Sequence, residues 1–523
     1  MSAWLAACRG FALEQGLDPA VLEVLEAFPD RSVGSGDSMG GSPDFERLEF
    51  HLGLRAAGLA RQVVEKLDGE VDREQAELFA RRFQALAGLL ADLAERAPAA
   101  RPLRVGLHAR LEEVLTAPGP RALRVRALVD FYTSHAALLH HRARTAGATV
   151  PSLEAHATGA VWQEVVPGLE HARLLGESEH GPLHVNVLRA EGLRLAALDC
   201  RRLARGAGRD FARQVAQSGA LAAVSGGFFL YSEPDIEPPS RRTDPVGLLL
   251  ADGQVLSPPV FFRATIAQDS AGALSIQRRG LAGTTLTWRD GSSTVISSCN
   301  ALERLGVRAV AFNRAWGAES PDHGGLALAI VGERVVARAR GPLPIPLAGF
   351  VLAIPRAEGA RPAWAPGARV GYELAAEPSG AHLRDAMAGG PVLLEDGRTA
   401  LDLRREEFTG TAPPATFSQD ETFDQNLLPR LAAGLDGAGR LLLCAVDGRN
   451  FARAPGLTLG QTARLMLALG CEVAMNLDGG SSKRMILGGR VLDLPTTELL
   501  AGGEPGVAPV RPVHTALLLH PRV

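Results

Sequence analysis

Lysine is almost missing from this sequence. Lys66 and Lys483 are the only two among 523 residues, and every other basic residue is arginine. Codon usage is the plain cause, but it makes the setting of Lys483 worth following. Cysteine is scarce too. Cys8, Cys200, Cys299, Cys444 and Cys471 are scattered, odd in number and without CxxC spacing, which argues against a disulfide framework or a cysteine-built zinc site. Cys444 and Cys471 lie in apolar, strand-like runs and read as small core residues. No apolar run is long enough to span a bilayer. There is no internal repeat and no low-complexity tract. The opening "MSAWLAACRGFALEQ" has no basic n-region and is broken by Arg9, so the expectation is a soluble, cytoplasmic protein. No excess of one charge exists either. The 55 basic and 58 acidic residues are interspersed and sum to −3, which gives no support to a nucleic-acid partner or a polybasic membrane contact. HExxH, GxSxG, the P-loop and a strand-linked GxGxxG are all absent. The histidines show no metal spacing, and neither a metal nor a cofactor is expected.

What is present is enough apolar sequence, 46%, to bury large cores. The length fits two to four domains at roughly 150 residues each. The first 150 residues read as an all-α domain. Asp18-Pro19 opens one helix, and a Gly/Ser-rich stretch spans 32–43. Ser42-Pro43 then starts a helix to about Leu67. Asp72 and Gln75 resemble a capping box for a helix ended by Pro98, and two more helices fit 103–116 and 120–145. This helical domain is a candidate for self-association or protein docking. From about 155 to 523 the texture becomes alternating strands and Gly/Pro turns, read as one mixed α/β (α+β) domain with a many-stranded sheet. Strands are expected at 184–192, 246–250, 264–268, 308–313, 326–337, 350–355 and 368–374, with Asp252-Gly253 and Asp396-Gly397 as turns. Helices are expected at 201–218, 299–305 and 457–469.

The region 440–487 carries the most chemistry. "RLLLCAVDGRN" is an apolar strand ending at Asp447-Gly448-Arg449. Thr458 and Gln461 form a capping-box pair for a helix that stops at Gly470. "EVAMNL" is a second strand, ending in Asn476, Leu477, Asp478, Gly479 and Gly480. Strand, helix, strand at this spacing reads as a parallel crossover unit. Asp447 and Asp478 then share the carboxyl edge, where open α/β sheets bind ligands. An ordinary turn competes for either acid alone. "DGGSS" also fits a hairpin loop returning along 484–487. A calcium loop is a third reading, although Leu487 stands where an EF-hand glutamate would fall.

Two more glycine pairs follow strands: Gly226-Gly227 after Ser225 in "AVSGGFF", and Gly389-Gly390 in "AGGPVLLEDG". Together with Gly479-Gly480 they suggest backbones approaching one ligand where a Cβ would clash. Arg430 in "LLPRLAAG", and Asn313 with Arg314 in "AFNRAWG", add forked or amide groups near strand ends. An arginine fork suits phosphate, while a surface ion pair is the plainer reading.

Taken in order, "VSGGFF", "RATIAQDSAGALSI", "AFNRAW", "GGPVLLEDG", "LLPRLAAGLDGAGRLLLCAVDGR", "NLDGGSS" and "RPVHTALLL" resemble the phosphodiester glycosidase family, over roughly residues 180–520. The resemblance implies a hydrolase that cleaves a sugar 1-phosphodiester between the anomeric carbon and the phosphate oxygen. It implies Asp478 as base or nucleophile and Asp447 as second acid or positioner. Arg430 or Arg449 would stabilise the leaving phosphate. Asn476 and Ser482 would hold sugar hydroxyls, with the glycine amides facing the ligand. Three positions depart from the family pattern: Ser225 replaces an asparagine, Leu431 a threonine and Ser481 a third glycine. Loss of an amide and a hydroxyl motivates the alternative, a noncatalytic glycan- or sugar-phosphate-binding module.

Overall fold

The computed structural model describes residues 43–71, 73–96, 100–118, 121–145, 147–200, 211–229, 244–359, 361–377, 381–408, 426–449, 453–494 and 513–522. The expected helix at Asp18-Pro19, residues 32–42 of the Gly/Ser-rich stretch and the capping residue Asp72 lie outside them. The remaining helical periodicity becomes α1 (Pro43–Lys66), α2 (Arg73–Arg96), α3 (Ala100–Thr116) and α4 (Ala122–Thr145). Val63, Phe83, Leu90, Leu107, Leu111 and Val125 recur on their inner faces and are buried in one apolar core. Shorter helices follow: α5 (Leu153–Thr158), α6 (Phe211–Ser218) and α7 (Leu459–Ala468). No helix among the described residues is long and apolar enough to cross a membrane.

Eight strands position the site: β1 (Gly181–Ala190), β2 (Ala222–Ser225), β3 (Val392–Glu395), β4 (Arg430–Asp436), β5 (Leu441–Val446), β6 (Cys471–Leu477), β7 (Met485–Leu487) and β8 (Thr515–His520). The largest sheet runs Gln163–Val166, Leu169–Ser178, β1, β5, β4, β6, β3, Arg398–Thr399, with eight strands in all. Both of its faces are covered. In β5, Leu442, Cys444 and Val446 join a core with Leu465 and Met466 of α7. Leu441, Leu443 and Ala445 point the other way, into a core with Val224 of β2 and Leu517 of β8. Burial on both faces is why "LLLCAV" is continuously apolar rather than alternating. Cys444 and Cys471 are buried core residues, and burial pushes the Cys444 thiol up to about 12. In a second sheet β2 lies between β7 and β8.

The parallel crossover differs from expectation in one respect. β5 and β6 do run the same way, but they are not neighbours. β4 lies between them, antiparallel to both. The sequence signal was there: Asp436-Gly437 opens a tight hairpin in which the Asp436 carboxylate accepts from Ala438 N at 3.0 Å and Arg440 N at 2.9 Å. The hairpin competes with the crossover for β5, and the hairpin, being local, takes the adjacent place. Other elements shift less. The run 326–337 is a hairpin of Leu326–Val331 with Arg334–Arg340, 299–305 supplies only a 3₁₀ turn at Leu302–Arg304, and the helix expected over 201–218 is described from Phe211. Asp252-Gly253 and Asp396-Gly397 have positive φ at both residues, the mark of type I′ turns. "DGGSS" does not return along β6. The chain crosses to the second sheet, where β7 pairs with β2.

Candidate active site at one edge of the large sheet

Insertion of β4 changes how the edge is built. Arg430 pairs with Val446 and Leu431 with Leu477. The start of β4 therefore meets the ends of β5 and β6, and Arg430, Asp447 and Asp478 reach one edge even though the two acids sit on non-adjacent strands.

The turn after β6 is pinned on two sides. Asp478 N donates to Gly226 O at 3.0 Å, and Gly480 N donates to Pro429 O at 2.8 Å. A Cβ on Gly479 would lie 2.5 Å from Pro429 O and 3.3 Å from Arg430 Cα. Gly480, at φ 58, opens a 3₁₀ turn through Ser482, and a Cβ there would sit 3.6 Å from an Arg449 guanidinium nitrogen. Arg449 has φ 57, an uncommon backbone for a non-glycine residue. Its N donates to Pro455 O at 3.1 Å. Arg430, Arg449, Asn476, Asp478 and Ser482 are all buried.

Arg430 is held by backbone. Its Nε donates to Leu457 O at 2.9 Å and Nη2 to Asn426 O at 2.8 Å. Asn476 donates through Nδ2 to Gly390 O at 2.9 Å, while its backbone exchanges hydrogen bonds with Gly390 and Pro391. Its Oδ1 is buried with no hydrogen-bond partner, a costly state for an amide oxygen.

Asp447 is placed differently. Lys483 Nζ donates to one carboxylate oxygen. The other oxygen meets His184 Nδ1 and accepts from Leu494 N at 3.1 Å. Lys483 is fully buried and also donates to Asp493 at 2.9 Å. Asp493 accepts from Met485 N at 2.6 Å, and Arg484 lies 3.7 Å from it. Burial alone would raise the Asp447 carboxyl, but Lys483 and His184 outweigh it and hold it below the usual carboxylate range. Burial opposes the Lys483 charge as well, yet Asp447 and Asp493 raise it. Both Asp447 oxygens are thus engaged by its own chain, an arrangement that suits the positioner rather than the second acid of its two expected roles. His184, Lys483 and Asp493 were missed as a set. Lysine rarity was the signal available for Lys483; nothing local pointed to Asp493 or His184.

The glycine pairs have near neighbours of their own. A Cβ on Gly226 would meet Met387 and Thr515, one on Gly227 would lie 2.2 Å from Ala388 O, one on Gly389 2.6 Å from Asn476 O and one on Gly390 2.7 Å from Glu406. Close packing within the chain, against side chains at Gly226 and Gly390 and against backbone at Gly227 and Gly389, thus accounts for the absence of side chains there. Ser225 spends its hydroxyl on Arg484 N at 2.9 Å. Leu431 points into the apolar core beside Ala445 and Leu477, on the face opposite Arg430, so a hydroxyl at this position would not reach the edge. The Ser481 side chain lies outside the described residues. Asn313 and Arg314 belong to another sheet region: Asn313 Nδ2 donates to Val260 O and to Glu407 at 2.7 and 2.8 Å, and Arg314 reaches Ile345 O at 3.4 Å. Among the described residues no group of three or more His, Cys, Asp or Glu side chains is gathered to hold a metal ion. A cavity of about 280 Å³ opens at the opposite end of the sheet, lined by Glu191, Leu274, Leu441 and Arg522, away from these residues.

No curated protein matches the chain. Solved structures similar to it include a hypothetical protein from Synechocystis, at 20% identity over 69% of this chain with a TM-score of 0.41. The chain spans 63% of the length of that protein. A putative exported protein from Burkholderia pseudomallei aligns at 23% identity over 66% of this chain and 76% of its own, with a TM-score of 0.40. The catalytic domain of zebrafish N-acetylglucosamine-1-phosphodiester alpha-N-acetylglucosaminidase, auto-inhibited by its pro-peptide, aligns at 14% identity over 72% and 87%, with a TM-score of 0.33. The family model for phosphodiester glycosidase matches residues 327–520. That span takes in Gly389-Gly390, Arg430, Asp447, Arg449 and the turn from Asn476 to Ser482, and begins after Ser225, Asn313 and Arg314. Over residues 327–520, this chain is similar to the phosphodiester glycosidase family.

Proposed function

We propose that this protein hydrolyses sugar 1-phosphodiesters between the anomeric carbon and the phosphate oxygen. The observation that carries the reading is the convergence of Arg430, Arg449, Asn476 and Asp478 at one sheet edge, all within the family-matched residues. Phosphate is a good leaving group, so little acid assistance is needed once its charge is stabilised. Two guanidinium groups supply that stabilisation in a buried, low-dielectric setting. Asp478 is the carboxylate assigned to the anomeric carbon, as base towards water or as nucleophile, against an oxocarbenium-like transition state. The unpartnered Oδ1 of Asn476 accepts a sugar hydroxyl, which removes its desolvation cost when ligand binds. Asp447 holds Lys483 and the turn in place and takes no proton in the reaction.

The test is release of reducing sugar from the methyl ester of N-acetylglucosamine 1-phosphate. Asp478→Asn is expected to lower turnover by about 10²–10⁴-fold, with the fold retained. Equal turnover in the variant would remove Asp478 from the mechanism. Wild-type protein that binds N-acetylglucosamine 1-phosphate but releases no sugar from the ester would instead be the noncatalytic binding module.

A further inference from the structure

The last helix of the helical domain reaches the segment that holds Arg430. Ser134, buried on α4, accepts a hydrogen bond from Leu427 N at 2.7 Å. The carbonyl of the same peptide group, Asn426 O, accepts from Arg430 Nη2 at 2.8 Å. A peptide group is planar and stiff, so one rigid unit joins the helix to the guanidinium. Hydrogen bonds at its two ends also polarise each other. The second carbonyl on Arg430, Leu457 O, belongs to a segment paired with Leu428 through N···O distances of 3.2 and 3.1 Å. Near that segment α4 makes another contact. A Cβ on Gly181 would meet Pro455 at 2.8 Å on one side and His141 of α4 at 3.9 Å on the other. Arg144 pairs with Glu177 on the sheet, and His141 lies 3.6 Å from the same carboxylate.

We propose that α4 is a built-in positioning element for Arg430, with Ser134 as the positioning residue. The helical domain sets the direction of the guanidinium through the 426–427 peptide. Binding of an anion at the sheet edge and docking of α4 are then linked, each strengthening the other by the same factor. The ligand half of this inference rests on reading Arg430 as the phosphate group's partner; the mechanical half does not.

Hydrogen exchange of the full chain, followed by mass spectrometry, separates the two. In Ser134→Ala, amides at 426–430 are expected to exchange about tenfold faster, while 441–446 keeps its protection. Ser134→Thr retains the hydroxyl and is expected to keep slow exchange at 426–430. Thr145→Ala, at the end of the same helix, is expected to leave that segment unchanged. Wild-type rates at 426–430 in Ser134→Ala would overturn the link, as would Thr behaving like Ala. The second readout is affinity for N-acetylglucosamine 1-phosphate by calorimetry. It is expected to fall about tenfold in Ser134→Ala, and the ligand is expected to slow exchange along α4 in the wild type. A wild type that ignores this ligand, yet shows the local exchange change, would refute the phosphate reading and uphold the positioning of Arg430 by α4.

Discussion

Lys483→Met tests the buried charge network most directly. The substitution keeps much of the side chain's length and removes only the ammonium. Lys483 is fully buried, as is Asp493, and Asp447 is 1% exposed. Removing one partner of such a pair leaves an uncompensated buried charge and costs about 3–5 kcal/mol; here two carboxylates lose the lysine they share, while Arg484 stays 3.7 Å from Asp493. With an unfolding entropy of about 2.1 cal/mol/K per residue over the roughly 340 residues after 180, this is a fall of about 4–7 °C in melting temperature. The pH dependence follows from the directions of the shifts. Asp447 is held below its usual 3.8, so its contribution is present above about pH 4 and is lost as pH falls through the folded value. Lys483 is raised above 10.5, so its contribution is full below that pH and is lost only as pH climbs through the folded value. Wild-type stability from this network is therefore flat between the two. In the variant the two carboxylates keep Arg484 but lose the lysine they share, so the deficit is largest near pH 7 and narrows as acid protonates them. Thermal unfolding at pH 5, 6, 7 and 8 measures both quantities. Adding Asp447→Asn to Lys483→Met should restore part of the loss, a departure from additivity expected of contacting residues. A variant within 1 °C of wild type at pH 7, or a deficit that grows as pH falls, would refute this account.

Two further predictions concern local stability. His108 is buried in the helical core with neither ring nitrogen hydrogen-bonded. Burial first, then Arg104 and Arg55, push it down from 6.5 to about 4. The unfolded chain thus binds a proton that the native core refuses, and stability is lost as pH falls from about 6.5 towards 4, by up to about 3 kcal/mol at about 1.4 kcal/mol per pH unit. His108→Leu should flatten this slope in helical unfolding followed by circular dichroism; an unchanged slope would assign it to other groups. Thr458 caps α7 in a complete capping box with Gln461, so Thr458→Ala should cost about 1 kcal/mol, read as faster amide exchange in the first turn of that helix.

The elements that were legible in sequence are those decided locally. Thr458, Gln461 and Gly470 bound α7 because caps depend on residues three or four apart. Asp252-Gly253 and Asp396-Gly397 fix their turns through two adjacent φ values. The placement of β4 was not legible in that way. Apolar alternation identifies a strand but does not say which strand it joins, and "RLAAGLD" is neutral between a β5 neighbour and a loop until Asp436-Gly437 is read as a hairpin. Arg430 was found as a motif residue, yet its seat on the large sheet's edge depends on that pairing. The same limit explains the departures at Ser225 and Leu431. Their effect depends on which face each side chain takes, and one faces a backbone amide of the neighbouring strand while the other faces the apolar core.

If the edge binds a phosphodiester as proposed, charge balance bears on that choice. Asp447 and Asp493 carry two negative charges, and Lys483 and Arg484 carry two positive ones within a few ångströms, so that network is neutral. Arg430, Arg449 and Asp478 beside the turn carry formal charges that sum to about +1. If Lys483 were missing, the two anchored acids would leave the edge close to neutral overall, because interactions in a buried setting are screened little. A phosphodiester carries one negative charge and would lose most of its attraction. On the proposed function, the lysine would therefore act on ligand charge selection without touching the ligand. On this argument Lys483→Met weakens binding of a sugar 1-phosphate more than binding of the uncharged sugar. A variant that weakened both equally would show that Lys483 acts through the shape of the turn alone.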